Sequence, residues 1–306
     1  MRLVRVLVSL CVLAFVPGSA WAQDFGTLDP KPLPPLANPN DPTLPARELF
    51  GRKTDPVSMP PRSIGFYSKG CLAGAVALPI NGETWQVMRL SRNRNWGNPH
   101  LIELLERLSV KVHKAAGWPG LLVGDISQPR GGPMFTGHAS HQVGLDADIW
   151  LTPMPNRELS RAEREEISAT MVVAESRTDV DPKVWTQGHF EAIKAAAKEP
   201  EVERIFVNAA IKKALCRQAN GDRAWLNKVR PMYGHDYHFH IRIKCPDDSA
   251  DCKPQDPVPA GDGCGDLQGW FKDSVIHPKE TEPAEPRKGP TLAQLPAACR
   301  GVVTAP

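Results

Sequence analysis

Six cysteines that follow an export-type leader constrain this chain more than any other feature. Arg2 and Arg5 precede an apolar run over residues 6–16, and the small-residue pattern Ala20-Trp21-Ala22 closes the segment. This reads as a secretory signal peptide over residues 1–22. The run is shorter than the roughly 20 apolar residues needed to span a bilayer, and no later stretch approaches that length, so no integral membrane segment is expected once the leader is removed. Cys11 leaves with the leader, while Cys71, Cys216, Cys245, Cys252, Cys264 and Cys299 remain. An even set of cysteines in an oxidising compartment predicts three disulfides and a periplasmic location. The spacing alone does not select among the possible pairings.

The formal net charge is +3, and Arg2 and Arg5 account for two of those charges. The remainder is nearly neutral, with no Lys/Arg stripe interleaved with aromatics, which excludes an electrostatic footprint for nucleic acid. The local run at Arg89, Arg92 and Arg94 reads as a solvated face.

Residues 23–61 are rich in Pro and Asn and poor in periodic apolar positions, which predicts an extended arm. Residues 276–306 form a Pro/Lys/Glu-rich tail whose end Cys299 would pin to the body. Between them, residues 62–275 carry the pattern of one domain. Asn98 caps a helix that opens at Pro99 and stops at Gly117, with Leu101, Leu104, Leu105, Leu108 and Val112 on one face. Residues 121–126 and 205–207 read as buried strands, and 190–198 as a short Ala- and Lys-rich helix. Helices scattered among short strands, without βαβ alternation, predict an α+β fold with a central antiparallel sheet, flanking helices and long loops.

Five of the nine histidines fall in two windows, Gly137-His138-Ala139-Ser140-His141 and His235-Asp236-Tyr237-His238-Phe239-His240. On a strand, His238, His240, Arg242 and Lys244 share one side while Phe239, Ile241 and Ile243 share the other. Asp146 and Asp148 likewise alternate with Leu145, Ala147 and Ile149. If both strands lie in one sheet, His141, Asp148 and His240 converge as two imidazoles and a carboxylate. That set suits Zn²⁺ with an open position for water, the arrangement of a catalytic rather than a structural site. His238 and His235 stand beside the ligand His240 as candidates for proton transfer and for steadying a tetrahedral intermediate. His138 is open to two readings, a loop hydrogen bond or a metal ligand. His100, His113, His189 and His277 read as ordinary satisfied histidines.

No His-Glu-x-x-His helix, Gly-x-Ser-x-Gly elbow or Ser-x-x-Lys pair occurs, which removes those zinc-peptidase and acyl-serine architectures. The glycine-rich stretch Gly261-Asp262-Gly263-Cys264-Gly265 reads as a turn around a disulfide.

The placing of His141, Asp148 and His240 resembles the lysostaphin, D-Ala-D-Ala carboxypeptidase and hedgehog group of zinc proteins, and within it the penicillin-insensitive murein endopeptidases. The resemblance extends from Ser63-Ile64-Gly65 to Trp270-Phe271. It includes Gly70-Cys71, the first histidine window, Ile205-Phe206-Val207-Asn208, Lys228-Val229-Arg230-Pro231 and Gly261-Asp262-Gly263-Cys264. It implies a zinc endopeptidase acting on the D-alanyl to meso-diaminopimelyl cross-link of peptidoglycan, with His141, Asp148 and His240 as ligands and His235 and His238 lining the site. It also implies the pairings Cys71–Cys299, Cys216–Cys264 and Cys245–Cys252. Family members can hold a second metal partly through His138, with an Asp and a His from a later loop; the matching residues 175–181 here lack a histidine and offer Glu175 instead. Two competing functions remain at this stage, a carboxypeptidase trimming terminal D-Ala and a non-catalytic zinc-binding cell-wall module. The module is disfavoured because His238 and His235 are both present.

Overall fold

The computed structural model describes residues 25–278 and 289–306; the leader expected at residues 1–22 lies outside them. The first half of the described chain runs α1 (Ala46–Phe50), β1 (Arg62–Phe66), β2 (Lys69–Ala73), β3 (Val76–Ala77), β4 (Asn81–Gly82), β5 (Trp85–Val87), β6 (Trp96–Gly97), α2 (Pro99–Ala116), β7 (Leu121–Val123) and β8 (Asp146–Trp150). The second half runs α3 (Arg161–Glu166), α4 (Gln187–Ala197), β9 (Val202–Val207), α5 (Ala209–Gln218), β10 (Val229–Pro231), β11 (His238–Ile243), α6 (Asp273–Ile276) and α7 (Ala298–Thr304).

A seven-stranded sheet in the order β10-β9-β11-β8-β7-β5-β4 organises the molecule, within the expected α+β class. Its centre is antiparallel, as the sequence predicts, but β10 pairs with β9 and β5 with β7 in parallel. The parallel pairs arise because α5 separates β9 from β10 and α2 separates β5 from β7, and such connections return the chain in the same direction.

The helix α2 starts and stops where its sequence dictates. The Asn98 side chain accepts a hydrogen bond from the His100 N–H at 3.1 Å, Pro99 takes the first turn, and Gly117 ends the helix at φ +70°. Leu101, Leu104, Leu105, Leu108 and Val112 are buried, and share a core with Ile193 and Ala196 of α4 and with the apolar face of the sheet, Ala147, Ile149, Phe239 and Ile241. One face of β8 and β11 is therefore spent on packing, which leaves the other for chemistry. β11 ends at Ile243, so Lys244, expected on the polar face, lies just past the strand.

A second, smaller core joins the two ends of the chain. Ala46, Phe50 and Val57 pack with Ile64, Cys71 and Ala73 and with Leu295, Cys299, Val302 and Val303. The Pro-rich arm thus carries one short helix, α1, whose apolar residues reach this cluster.

The disulfides are Cys71–Cys299, Cys216–Cys264 and Cys245–Cys252, the pairings that the resemblance implies. Cys264 lies in the glycine-rich turn, as expected. Their sequence separations of 228, 48 and 7 residues differ widely. Replacing Cys71 and Cys299 together with Ala should cost about 2–5 kcal/mol in equilibrium denaturant unfolding, while the Cys245/Cys252 pair, closing the smallest loop, should cost least. Equal losses for all three pairs would contradict the loop-entropy account.

Candidate active site

Strand register builds the site. In the β8/β11 ladder His240 faces Asp148, Arg242 faces Asp146 and His238 faces Trp150. On its other edge β11 sets His240 opposite Phe206 of β9. His141 comes from the loop before β8 and sits at φ +65°, a left-handed conformation that costs a non-glycine residue about 1–3 kcal/mol and survives only where its surroundings hold it. Here the backbone N–H of His141 donates to Asp146 Oδ2 at 3.2 Å, and the ring Nδ1–H donates to the Ile126 carbonyl at 2.6 Å. His235 has the same conformation, at φ +55°.

The three expected ligands meet. His141 Nε2 lies 3.5 Å from Asp148 Oδ1 and 3.3 Å from His240 Nδ1, and His240 Nδ1 lies 3.3 Å from Asp148 Oδ1. The proton of each ring is committed elsewhere: His141 Nδ1–H to the Ile126 carbonyl, His240 Nε2–H to Asp146 Oδ1 at 2.8 Å. Two lone pairs and a carboxylate oxygen therefore face one another. Asp148 Oδ1 is buried without a hydrogen-bond partner. Buried acceptors arranged like this repel one another unless a proton or cation lies between them, so the donor set fits a bound cation.

The remaining histidines surround this point. His138 Nε2 is 3.0 Å from Asp125 Oδ2 and 3.4 Å from Asp148 Oδ2, and His138, His141 and Asp148 also form a group able to hold a metal ion. Glu175 is exposed, and the carboxylates against His138 are those of Asp125 and Asp148. His238 Nε2 lies 3.6 Å from Asp148 Oδ1, and its buried Nδ1 has no hydrogen-bond partner. The His235 ring packs 4.8 Å from that of His238, while its Nδ1–H donates to the Tyr233 carbonyl at 2.8 Å. Both windows therefore converge, as expected, with all six candidate residues in one cluster.

Electrostatics divide the cluster into charged and neutral members. Burial alone would raise the Asp148 carboxyl, but His238, His141 and His138 hold it well below the usual carboxylate range. Burial pushes His238 down to about 3, against the pull of Asp148. Burial, with His240 adding to it, brings His235 down to about 4. Both rings are neutral near pH 7. His240 goes the other way: burial would lower it, but Asp146 and Asp148 together raise it.

A cavity of about 160 Å³ opens onto the cluster, lined by Arg92, Asp125, His138, Asp148, Trp150, Tyr237 and His238 among others. Several of these residues escape a reading of the sequence. The arginine run expected to be a solvated face is instead part of the wall: Arg89 is buried with its guanidinium 5.0 Å from the Trp150 ring, and Arg92 and Arg94 pair with Asp125 at 3.1 and 2.8 Å. The reason is Asp125, a buried carboxylate just past β7 that draws both cations inward. Asp125 follows an apolar strand in sequence, a polar residue where burial is expected, and that was the available signal. Outside the cluster, His100 pairs with Asp248, His113 bonds the Trp118 carbonyl, and buried His189 bonds Leu151 and packs beside Trp118 and Trp185, the satisfied roles expected of them.

Sequence comparison decides the family. The family model described as penicillin-insensitive murein endopeptidase matches residues 63–304. The chain belongs to this family. A protein of Haemophilus influenzae named penicillin-insensitive murein endopeptidase is 51% identical over 226 residues, covering 72% of this chain and 78% of its own length. Proteins of the same name from Pectobacterium atrosepticum and Klebsiella pneumoniae are 42% and 41% identical over 81% and 82% of this chain, and over 86% and 89% of their own lengths. The family match spans both histidine windows, Asp148 and all six paired cysteines.

Proposed function

We propose that this protein is a zinc-dependent murein endopeptidase of the periplasm that hydrolyses the D-alanyl to meso-diaminopimelyl amide cross-linking peptidoglycan. Family membership and the names of its relatives supply the substrate class. The observation that carries the reaction class is the meeting of His141 Nε2, Asp148 Oδ1 and His240 Nδ1 at 3.3–3.5 Å, with both ring protons directed away. A tetrahedral ion with ligands at about 2.0–2.1 Å spaces them about 3.3–3.4 Å apart, which supports zinc as the metal. The sulfur ligands of a structural zinc site are excluded, because every cysteine among the described residues is in a disulfide. Bound by these three residues, zinc would polarise the scissile carbonyl and acidify water toward a pKa of about 7.

The chain's own groups then handle protons. His238 is neutral, lines the cavity and lies beside Asp148, which places it to accept a proton from the attacking water and return one to the departing amine. His235 donates through Nδ1 to Tyr233, so its Nε2 carries a lone pair and serves as a second proton acceptor. His138 is held by Asp125, itself clamped by Arg92 and Arg94, and lines the same cavity as His238; a second cation there would use His138 with Asp125 or Asp148. In this reading residues 62–275 form the catalytic domain, residues 1–22 direct export, and the described ends of the 23–61 arm and 276–306 tail, through Ala46, Phe50, Val57, Leu295 and Cys299, brace the domain.

Digestion of purified cross-linked muropeptide dimers, read by mass, tests the proposal. Conversion of dimers to monomers with uptake of one water is expected, and penicillin should not slow it, since no Ser-x-x-Lys nucleophile is present to acylate. Release of free D-Ala with dimers left intact would identify a carboxypeptidase, and no product of either kind would leave a binding module.

A further inference from the structure

The two histidines at the centre of the site are backed differently. His141 donates its Nδ1 proton to a main-chain carbonyl, whereas His240 donates its Nε2 proton to the side chain of Asp146. Asp146 is fully buried and is itself clamped. Its Oδ1 also accepts from Arg242 Nε at 2.7 Å, and its Oδ2 accepts from the backbone N–H of His141 at 3.2 Å. Arg242 is fixed in turn: its guanidinium lies 4.0 Å from the Tyr67 ring and 5.1 Å from the Phe206 ring, and its Nη1 donates to Gln255 Oε1 at 2.8 Å. Tyr67 is anchored at its hydroxyl by the Ile243 carbonyl, 2.8 Å away.

We propose that Asp146, held by Arg242, is a positioning residue that fixes His240 as the Nε2–H tautomer and so sets the affinity of the site for its metal. A histidine whose distal nitrogen faces an ionised carboxylate keeps its proton there and presents its other nitrogen as a lone pair, and the carboxylate also makes the ring a stronger donor. Arg242 acts through Asp146: its Nε–H on Oδ1, with Nη1 tied to Gln255, keeps the carboxylate from rotating away from the His240 ring. The same carboxylate bonds the main chain at His141, so one side chain orients both imidazole ligands. The proposal rests on the metal reading above, and His141, Asp148 and His240 themselves are not altered in its test.

The test is titration of the purified full chain, stripped of metal, with Co²⁺, followed by visible absorption. Asp146→Asn should weaken Co²⁺ binding by about 10–100-fold, and Arg242→Lys, which keeps the cation but loses the planar fork, should weaken it by less. A purely structural role would lower the melting temperature of the metal-free protein and leave Co²⁺ affinity unchanged, and that result overturns the proposal. Should Asp146→Asn fail to fold, nitrogen-resolved histidine NMR of the zinc-loaded wild type decides: a proton on His240 Nε2 supports the assignment and a proton on Nδ1 overturns it. Failure of the metal reading itself would show differently, as wild-type chain that binds no Co²⁺ at all.

Discussion

Replacing His238 with alanine is expected to lower cleavage of muropeptide dimers by about 10²–10⁴-fold at unchanged metal content. The ring is neutral, lines the cavity and has a nitrogen 3.6 Å from Asp148 Oδ1, yet His141, Asp148 and His240 meet without it. Its Nδ1 is buried and unpartnered, a cost of about 1–3 kcal/mol that folding alone gives no reason to accept. Removing the ring leaves no hydrogen-bond partner stranded, so the loss should fall on turnover rather than on stability. A variant that loses zinc would instead make His238 a ligand, and one that turns over near the wild-type rate would shift the proton-transfer role to His235.

Replacing Asp148 with asparagine is expected to remove the metal and turnover together. The substitution keeps the shape of the side chain but replaces a carboxylate oxygen by a neutral amide, which is a poor ligand for a divalent ion. Asp148 is the centre of the cluster, with nitrogens of His141, His240 and His238 at 3.3–3.6 Å from Oδ1 and His138 at 3.4 Å from Oδ2. His141→Ala and His240→Ala should have the same outcome. Elemental analysis of each purified variant checks the result, and zinc retained at the wild-type level in Asp148→Asn would show that the carboxylate is not a ligand.

Much of this arrangement is legible in the sequence because strand periodicity is simple. The alternation of His238, His240 and Arg242 with Phe239, Ile241 and Ile243 fixes which side of β11 packs, and the same holds for Asp146 and Asp148 on β8. Helix α2 is equally plain, since its cap, its proline and its terminal glycine are all local signals. What the sequence does not reveal is tertiary. The inward turn of Arg92 and Arg94 depends on where Asp125 lies, and that of Arg89 on the Arg164 and Ile167 carbonyls; nothing near the arginines in the chain announces these partners. The part played by Asp146 is hidden for a similar reason: its position on the polar face is visible, but the clamp from Arg242 exists only once β8 and β11 are in register. The parallel pairs at the sheet's flanks escape because β5, β7 and β10 have three residues each, too few for a periodic pattern to form.

If the histidine and aspartate cluster is a zinc centre that cleaves cross-linked peptides, activity must leave and return with the metal. The most direct measurement is the rate of dimer cleavage by the purified protein before chelation, after a zinc chelator, and after zinc is restored, with metal content measured in the same samples. The account predicts about one zinc per chain at the outset, loss of cleavage as zinc is removed, and its return when zinc is added back. Full cleavage by protein that contains no zinc would contradict it.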